Sequence, residues 1–303
     1  DERVHFGEDE SAVPCIKSYL KDREYQAPYS VFYQDGRAAT KRLRELMGTD
    51  CFDFPKDELV LQELVGMMTG EGDIVMDFFA GSGTTGHSVM LQNREDGKRR
   101  RFILVQLPEP LDPERPEQAE AAAFCDKLKK PRNIATLTKE RLRRAGRAVT
   151  DGRLGAVDVG YRTYRLDYSC LRVWNSAKMV TSDRLEASVA HVEPGRTSSD
   201  LLNELLLKRG LDLCVPIETK TIAGKVVHSV GAGSLIACLD ATIAREDGET
   251  LALGIAKWHK ELNPAGETAV VFRDDAFADD VVKTNVVAIL VQRGLDEGRI
   301  RSL

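Results

Sequence analysis

A chain of 303 residues is long enough for two domains with well-buried cores. With 30% charged residues and a formal net charge of −5, it carries no global positive field, so any contact with nucleic acid has to come from a local basic face. The six cysteines stand singly with no CxxC pair, which offers neither a zinc spacing nor a disulfide framework and fits a reducing cytoplasm.

Residues 1 to about 51 are polar and poorly periodic, punctuated by Pro14, Pro28, Gly36 and Gly48. The chain opens without a methionine or a signal-peptide pattern, as if entered in mid-domain, and no apolar run reaches membrane-spanning length. Leu43, Leu46 and Met47 have helix-like spacing over Thr40 to Met47. From Asp57 the pattern sharpens. Leu59-Val60-Leu61, Leu64-Val65 and Met67-Met68 recur at helical spacing and stop at Gly70.

Asp73 to Phe79 is an almost unbroken apolar run, the pattern of a parallel strand covered on both faces. Gly81-Ser82-Gly83-Thr84-Thr85 follows at once, and a helix is expected from Thr84 to about Gln92. Phe102 to Leu107 reads as a second buried strand, which closes one strand–helix–strand unit. Residues 108 to 118 read as a loop, 133 to 149 as a basic helix, and Tyr161 to Leu166 alternates like a third strand.

After about Asn175 the character changes. Ser199-Asp200 caps a helix through Leu201, Leu202, Leu205 and Leu206 that ends at Gly210. A hairpin turns near Ile222-Ala223-Gly224-Lys225. Strands are expected at Leu235 to Leu239 and Thr268 to Phe272, separated by a helix with Leu251, Ile255 and Trp258. A last helix runs over Val281 to Leu290.

The stretch Asp77 to Thr85 carries the chemistry. A strand delivers a tight turn into a helix N-terminus, glycines admit a close ligand, and the first helical N–H groups point at it. Gly81, Gly83 and Gly86 also satisfy GxGxxG, so a dinucleotide must be weighed. That fingerprint wants an acid at the end of the second strand, where this chain has Gln106. Asp77 beside the turn suits a ligand with an ammonium and a sulfonium better than a pyrophosphate. S-adenosylmethionine is therefore favoured over NAD, with a purely structural turn as the bland alternative.

Asp77-Phe78-Phe79-Ala80-Gly81-Ser82-Gly83-Thr84-Thr85-Gly86-His87 closely resembles the S-adenosylmethionine motif of DNA amino-methyltransferases. A longer series, in order, is similar to the modification subunits of type III restriction systems: Phe52-Asp53-Phe54-Pro55-Lys56, Asn93-Arg94-Glu95-Asp96-Gly97, Phe102 to Glu109, Lys139-Glu140-Arg141-Leu142-Arg143-Arg144, Val159-Gly160-Tyr161 and Trp174. It continues through Asp200-Leu201-Leu202, Val227 to Gly231 and Lys283-Thr284-Asn285.

The resemblance implies an adenine-N6 DNA methyltransferase with double-stranded DNA, a second modification subunit and a restriction nuclease subunit as partners. It implies an α/β fold: a partial Rossmann-like methyltransferase sheet followed by a smaller α/β C-terminal domain. Residues 1–51 would end the target-recognition region, 52–175 would bind S-adenosylmethionine, and 176–303 would associate subunits. Phe54, Pro55 and Lys56 would lie against the methionine end of the cofactor, although Asp57 stands where the family often has a second proline. Asp77 would take the ammonium, Phe79, Ala80, Gly81, Ser82, Gly83, Thr84 and Thr85 would form the turn around it, and Gln106 or Glu109 would reach the ribose.

The family's Asp-Pro-Pro-Tyr type catalytic motif is expected upstream of Asp1. No Pro-Pro pair occurs in the chain, and Ala27-Pro28-Tyr29 and Asp112-Pro113-Glu114 are poor imitations. No catalytic residue is assigned, and the chain alone is expected to be inactive. The alternative is a non-catalytic assembly or DNA-binding module.

Lys98 to Arg101 is expected as a solvated turn. The run from Lys127 to Arg147, in which Glu140 is the lone acid, is the better candidate for DNA or an acidic partner, against a solvated helix face. His5, His87, His191, His228 and His259 have no ligand-spaced companions, so no metal site is expected.

Overall fold

The computed structural model describes residues 3–9, 11–19, 30–150, 157–172 and 192–303. Trp174, the expected junction at 175–176, Ala27-Pro28-Tyr29 and His191 lie outside the described residues. The chain divides into two compact units, Asp1–Tyr161 and Arg162–Leu303, with the division upstream of residue 175.

The first unit opens with a short antiparallel pair, β1 (Val4–His5) and β2 (Cys15–Ile16). Helix α1 (Gly36–Met47) starts where the Asp35 side chain accepts the Arg37 N–H, and it stops at Gly48 in the left-handed region. Its buried Leu43 and Met47 meet Cys51, Phe124, Cys125 and Leu137. Helix α2 (Glu58–Met68) starts on Asp57, whose carboxylate accepts from the N–H groups of Leu59 and Val60. The residue that departs from the family pattern is therefore this helix's cap.

Strands β3 (Ile74–Asp77) and β4 (Arg101–Leu104) pair in parallel around helix α3 (Thr84–Asp96), the expected strand–helix–strand unit. Neither strand is covered on both faces. Phe102 and Leu104 pack under Met90, Leu142 and Ala145, whereas Met76 and Ile103, paired in register, are 49% and 46% exposed on the opposite face. The apolar run reported the strands correctly but not what covers them.

Residues 108–118 are not wholly loop, because helix α4 (Pro116–Lys127) begins on Pro116 at its first turn. Its buried side is mostly Ala121 and Ala122 beside Phe124 and Cys125, too weak a contrast to show as amphipathic periodicity. Helix α5 (Ile134–Thr150) completes this unit. The Lys98 to Arg101 turn is not simply solvated. Arg100 is buried and donates from both terminal nitrogens to the Asp96 carboxylate, at 2.9 and 2.7 Å, and from Nε to Thr69.

From Tyr161, which ends the first unit, to Leu166 in the second, the chain is not a strand. No ladder partner is present among the described residues; the Arg162 guanidinium donates to the carbonyls of Leu213 and Val215. Helix α6 (Ser198–Lys208) begins with a reciprocal cap between Thr197 and Asp200. Strands β5 (Ile217–Ile222) and β6 (Lys225–Val230) form a hairpin over Ala223-Gly224, both at positive φ, as a tight two-residue turn requires.

Then come β7 (Leu235–Cys238), α7 (Arg245–Leu262), β8 (Ala269–Phe272), α8 (Asp280–Gln292) and β9 (Ile300–Ser302). The sheet order follows the chain, antiparallel through β5, β6 and β7 and parallel through β7, β8 and β9. Central β7 and β8 are buried throughout, with α7 and α8 on one face and α6 on the other. Leu201, Leu202, Leu205 and Leu206 are all consumed by this unit's own core, leaving Leu207 outward at 62% exposure. The molecule is a mixed α/β protein. Among the described residues no helix is long and apolar enough to cross a membrane, and no group of side chains could hold a metal ion.

Candidate functional site: a cleft at the glycine turn

The turn between β3 and α3 opens on a cleft of about 580 Å³, within the size range of small-molecule and cofactor sites. Phe32, Val60 and Leu61 line it together with two longer stretches. Phe52, Phe54, Pro55, Lys56 and Asp57 come from the lead-in to α2, and Asp77, Phe79, Ala80, Gly81, Ser82, Thr84 and Thr85 from the turn. Of the expected site residues, three stand apart from the lining: Gly83, Gln106 and Glu109.

Asp77 ends β3 with its carboxylate fixed. Oδ1 accepts the Phe79 N–H at 2.9 Å, and Oδ2 accepts the Thr85 hydroxyl at 2.5 Å. Helix α3 starts at Gly83 with no side-chain cap, so its first N–H groups are left for a ligand. Gly81 and Gly83 both have positive φ but serve different neighbours. A Cβ on Gly81 would have Phe52 Cζ at 3.7 Å, on the cleft side, whereas one on Gly83 would press Thr138 Cγ2 at 3.0 Å. Gly83 therefore permits the turn to sit on α5, and Gly81 is the glycine at the cleft.

Gln106 shapes the turn from behind, its Oε1 accepting the Gly81 N–H at 2.7 Å. Glu109 is exposed, and its backbone carbonyl accepts the Ile134 N–H at the start of α5. Phe54 is the strained member, at φ 48° with its ring 92% exposed over the cleft. Lys56 is exposed at the rim.

Sequence reasoning missed the layer under the turn. Thr138 donates its hydroxyl to the Gly81 carbonyl at 2.5 Å. Arg141, buried on α5, donates from Nη1 to Ser82 Oγ at 2.6 Å and Thr84 Oγ1 at 2.7 Å. Burial pulls Arg141 down to about 10, which still leaves it a cation at neutral pH. Burial, and then the Arg141 and Arg42 charges, push His87 down to about 3, so its imidazole is neutral. Arg42 on α1 holds both Asp57, at 2.8 Å, and Glu58. A signal for Arg141 was present: it falls on the apolar stripe of Leu137, Leu142, Ala145 and Val149, where a solvated arginine would not stand.

The same layer changes the reading of the basic run. Arg132 pairs with Asp126, Arg143 and Arg144 both pair with Glu140, and Arg144 also donates to the Met47 carbonyl. Those arginines serve the unit's own packing, and Lys127, Lys129, Lys130, Lys139 and Arg147 remain as the run's other cations.

Residues 14–110, which include the turn and all of the cleft lining, match the DNA methylase family. Three of the proteins it is similar to are modification subunits of type III restriction-modification enzymes. The chain is 32% identical to the Mod subunit of EcoP15I from Escherichia coli over 231 residues, 75% of this chain and 33% of that protein. It is 29% identical over 168 residues to the StyLTI Mod subunit of Salmonella typhimurium, covering 54% of this chain and 24% of the relative. Against the EcoPI Mod subunit of Escherichia phage P1 it is 26% identical over 205 residues, 66% and 30% of the two chains. The chain thus spans about a quarter to a third of the length of these curated relatives. The kinship expected from the ordered motifs holds.

Proposed function

We propose that this chain is the S-adenosylmethionine-binding portion of a site-specific adenine-N6 DNA methyltransferase of a type III restriction-modification system. One observation carries the reading: an anchored carboxylate, Asp77, and an uncapped helix N-terminus open on one cofactor-sized cleft. The carboxylate suits the ammonium of the ligand, and the helix N–H groups suit its carboxylate. Phe54, Pro55 and Lys56 close the methionine end. S-adenosylmethionine supplies the electrophilic methyl group; the residues of this chain bind and orient it. The β3–α3–β4 unit is then part of a Rossmann-like methyltransferase sheet.

NAD fits less well, because the residue at the second strand end is Gln106 and its carboxamide is already engaged by the Gly81 N–H. The groups that hold the target adenine and assist transfer are assigned to the rest of the methyltransferase, so this chain by itself should transfer no methyl group to DNA. Double-stranded DNA, a second modification subunit and the restriction nuclease subunit are the proposed partners, in the cytoplasm. A non-catalytic assembly role for the second unit is compatible with this reading.

The test is calorimetric titration with S-adenosylmethionine and, separately, NAD. Saturable binding of S-adenosylmethionine that NAD does not displace is expected. Preferential binding of NAD would overturn the reading.

A further inference from the structure

Arg141 carries a cost that packing does not explain. Its residue is 1% exposed, yet among the described residues no carboxylate is in hydrogen-bonding contact with it, and Glu58 Oε2 stands 3.8 Å from Nη2. Arg141 Nε and Glu58 Oε2 are both buried without a hydrogen-bond partner. A leucine would fill such a site without the desolvation penalty of a buried cation. What the guanidinium does provide is specific. Ser82 Oγ and Thr84 Oγ1 lie 3.1 Å apart, and Nη1 donates to both, which closes a triangle. A guanidinium offers two hydrogens from one planar nitrogen in fixed directions, and an ammonium does not.

One turn earlier on α5, Thr138 holds the Gly81 carbonyl. Helix α5 therefore grips the turn at Gly81, Ser82 and Thr84, and the missing Cβ of Gly83 lets the two meet. The cleft lies above these same residues.

We propose that Arg141 is the positioning residue of the cofactor turn: by holding Ser82 and Thr84 from below, it fixes the α3 N-terminus toward the amino-acid end of S-adenosylmethionine. The inference rests on the S-adenosylmethionine reading above. Arg141 touches no ligand; it acts through the two hydroxyls.

The experiment combines hydrogen exchange of the amides of residues 80–86 with binding of two ligands, S-adenosylmethionine and 5′-methylthioadenosine, which has the nucleoside but no amino-acid end. In Arg141→Lys, exchange at Ser82 to Thr85 should rise about tenfold, as a locally loosened segment does. The Kd for S-adenosylmethionine should rise about tenfold, the scale of one charge-assisted contact, with methylthioadenosine unchanged. Adding Ser82→Ala to Arg141→Lys should cost little more, because the two act as one unit. Ser82→Ala with Thr84→Val removes both acceptors, leaves the arginine in place, and decides the matter if Arg141→Lys does not fold. Unchanged exchange, or equal loss of both ligands, would overturn the positioning role. If the unaltered chain binds neither ligand, the cofactor reading falls, and exchange alone still decides whether Arg141 orders the turn.

Discussion

Thr85 Oγ1 donates to Asp77 Oδ2 at 2.5 Å, so the strand end and the first turn of α3 are tied by one hydrogen bond across the glycine turn. The Phe79 N–H holds Oδ1 of the same carboxylate. Each oxygen still has capacity to accept from an ammonium, since an ionised carboxylate offers about four acceptor sites. Asp77→Ala should weaken S-adenosylmethionine binding by about tenfold or more, the equivalent of roughly 1.5–3 kcal/mol for a charge-assisted contact. Thr85→Val should weaken it less, because the charge stays. Calorimetry on folded variants reads both, and equal affinity for Asp77→Ala and the parent would mean the carboxylate does not face the ligand.

The two turn glycines should separate in their effects. Gly83→Val meets Thr138 and keeps a positive φ, so its main cost should be stability; the left-handed backbone alone costs a side chain roughly 1–2 kcal/mol. Gly81→Val has room beside Phe52, so its penalty should fall on ligand binding, with a smaller drop in Tm. Thermal unfolding and titration of the two variants give the comparison. The reverse ranking would contradict the placement of α5 against Gly83.

His87 makes the first unit acid-sensitive. Its pKa is near 3 when folded, against an ordinary 6.5, so between those values the unfolded chain binds the extra proton and the folded chain does not. The neutral-His contribution is fully present above about pH 6.5 and is lost progressively as pH falls toward 3. In His87→Gln this part of the pH dependence should disappear, flattening unfolding stability against pH below 6.5. Parallel curves for the variant and the parent would show that burial of the imidazole is not the cause.

The uncovered face of β3 and β4 should make the chain adhesive. Ile74, Met76 and Phe78 on one strand and its extension, and Ile103, Val105 and Leu107 on the other, are all more than 40% exposed. Contiguous exposed apolar surface of this kind promotes association. Met76→Lys with Ile103→Lys should suppress concentration-dependent self-association in sedimentation while leaving Tm nearly unchanged. A large loss of Tm would mean that this face is covered within the folded chain.

Local signals were strong enough to write most elements into the sequence. Helical apolar periodicity and the Ala223-Gly224 turn are short-range effects, and the helices and hairpin they foretold are present, although the cap expected at Ser199-Asp200 is a reciprocal pair of Thr197 with Asp200. The glycine turn was legible for the same reason, since a strand, two glycines and a helix start are contiguous. Tyr161 to Leu166 shows the limit: alternation describes a strand only where a neighbouring strand takes its backbone bonds, and none among the described residues does. Ownership of charge was likewise a tertiary decision. The sequence presents Arg141, Arg143 and Arg144 as one basic run, but folding buries Arg141 under Ser82 and Thr84 and turns the other two onto Glu140. The roles of Gly81 and Gly83 could not be separated until α5, more than fifty residues away in sequence, was laid against one of them. Sequence alone determined that a strand, a glycine turn and a helix start stand together; long-range packing decided which of these residues line the cleft and which face the protein.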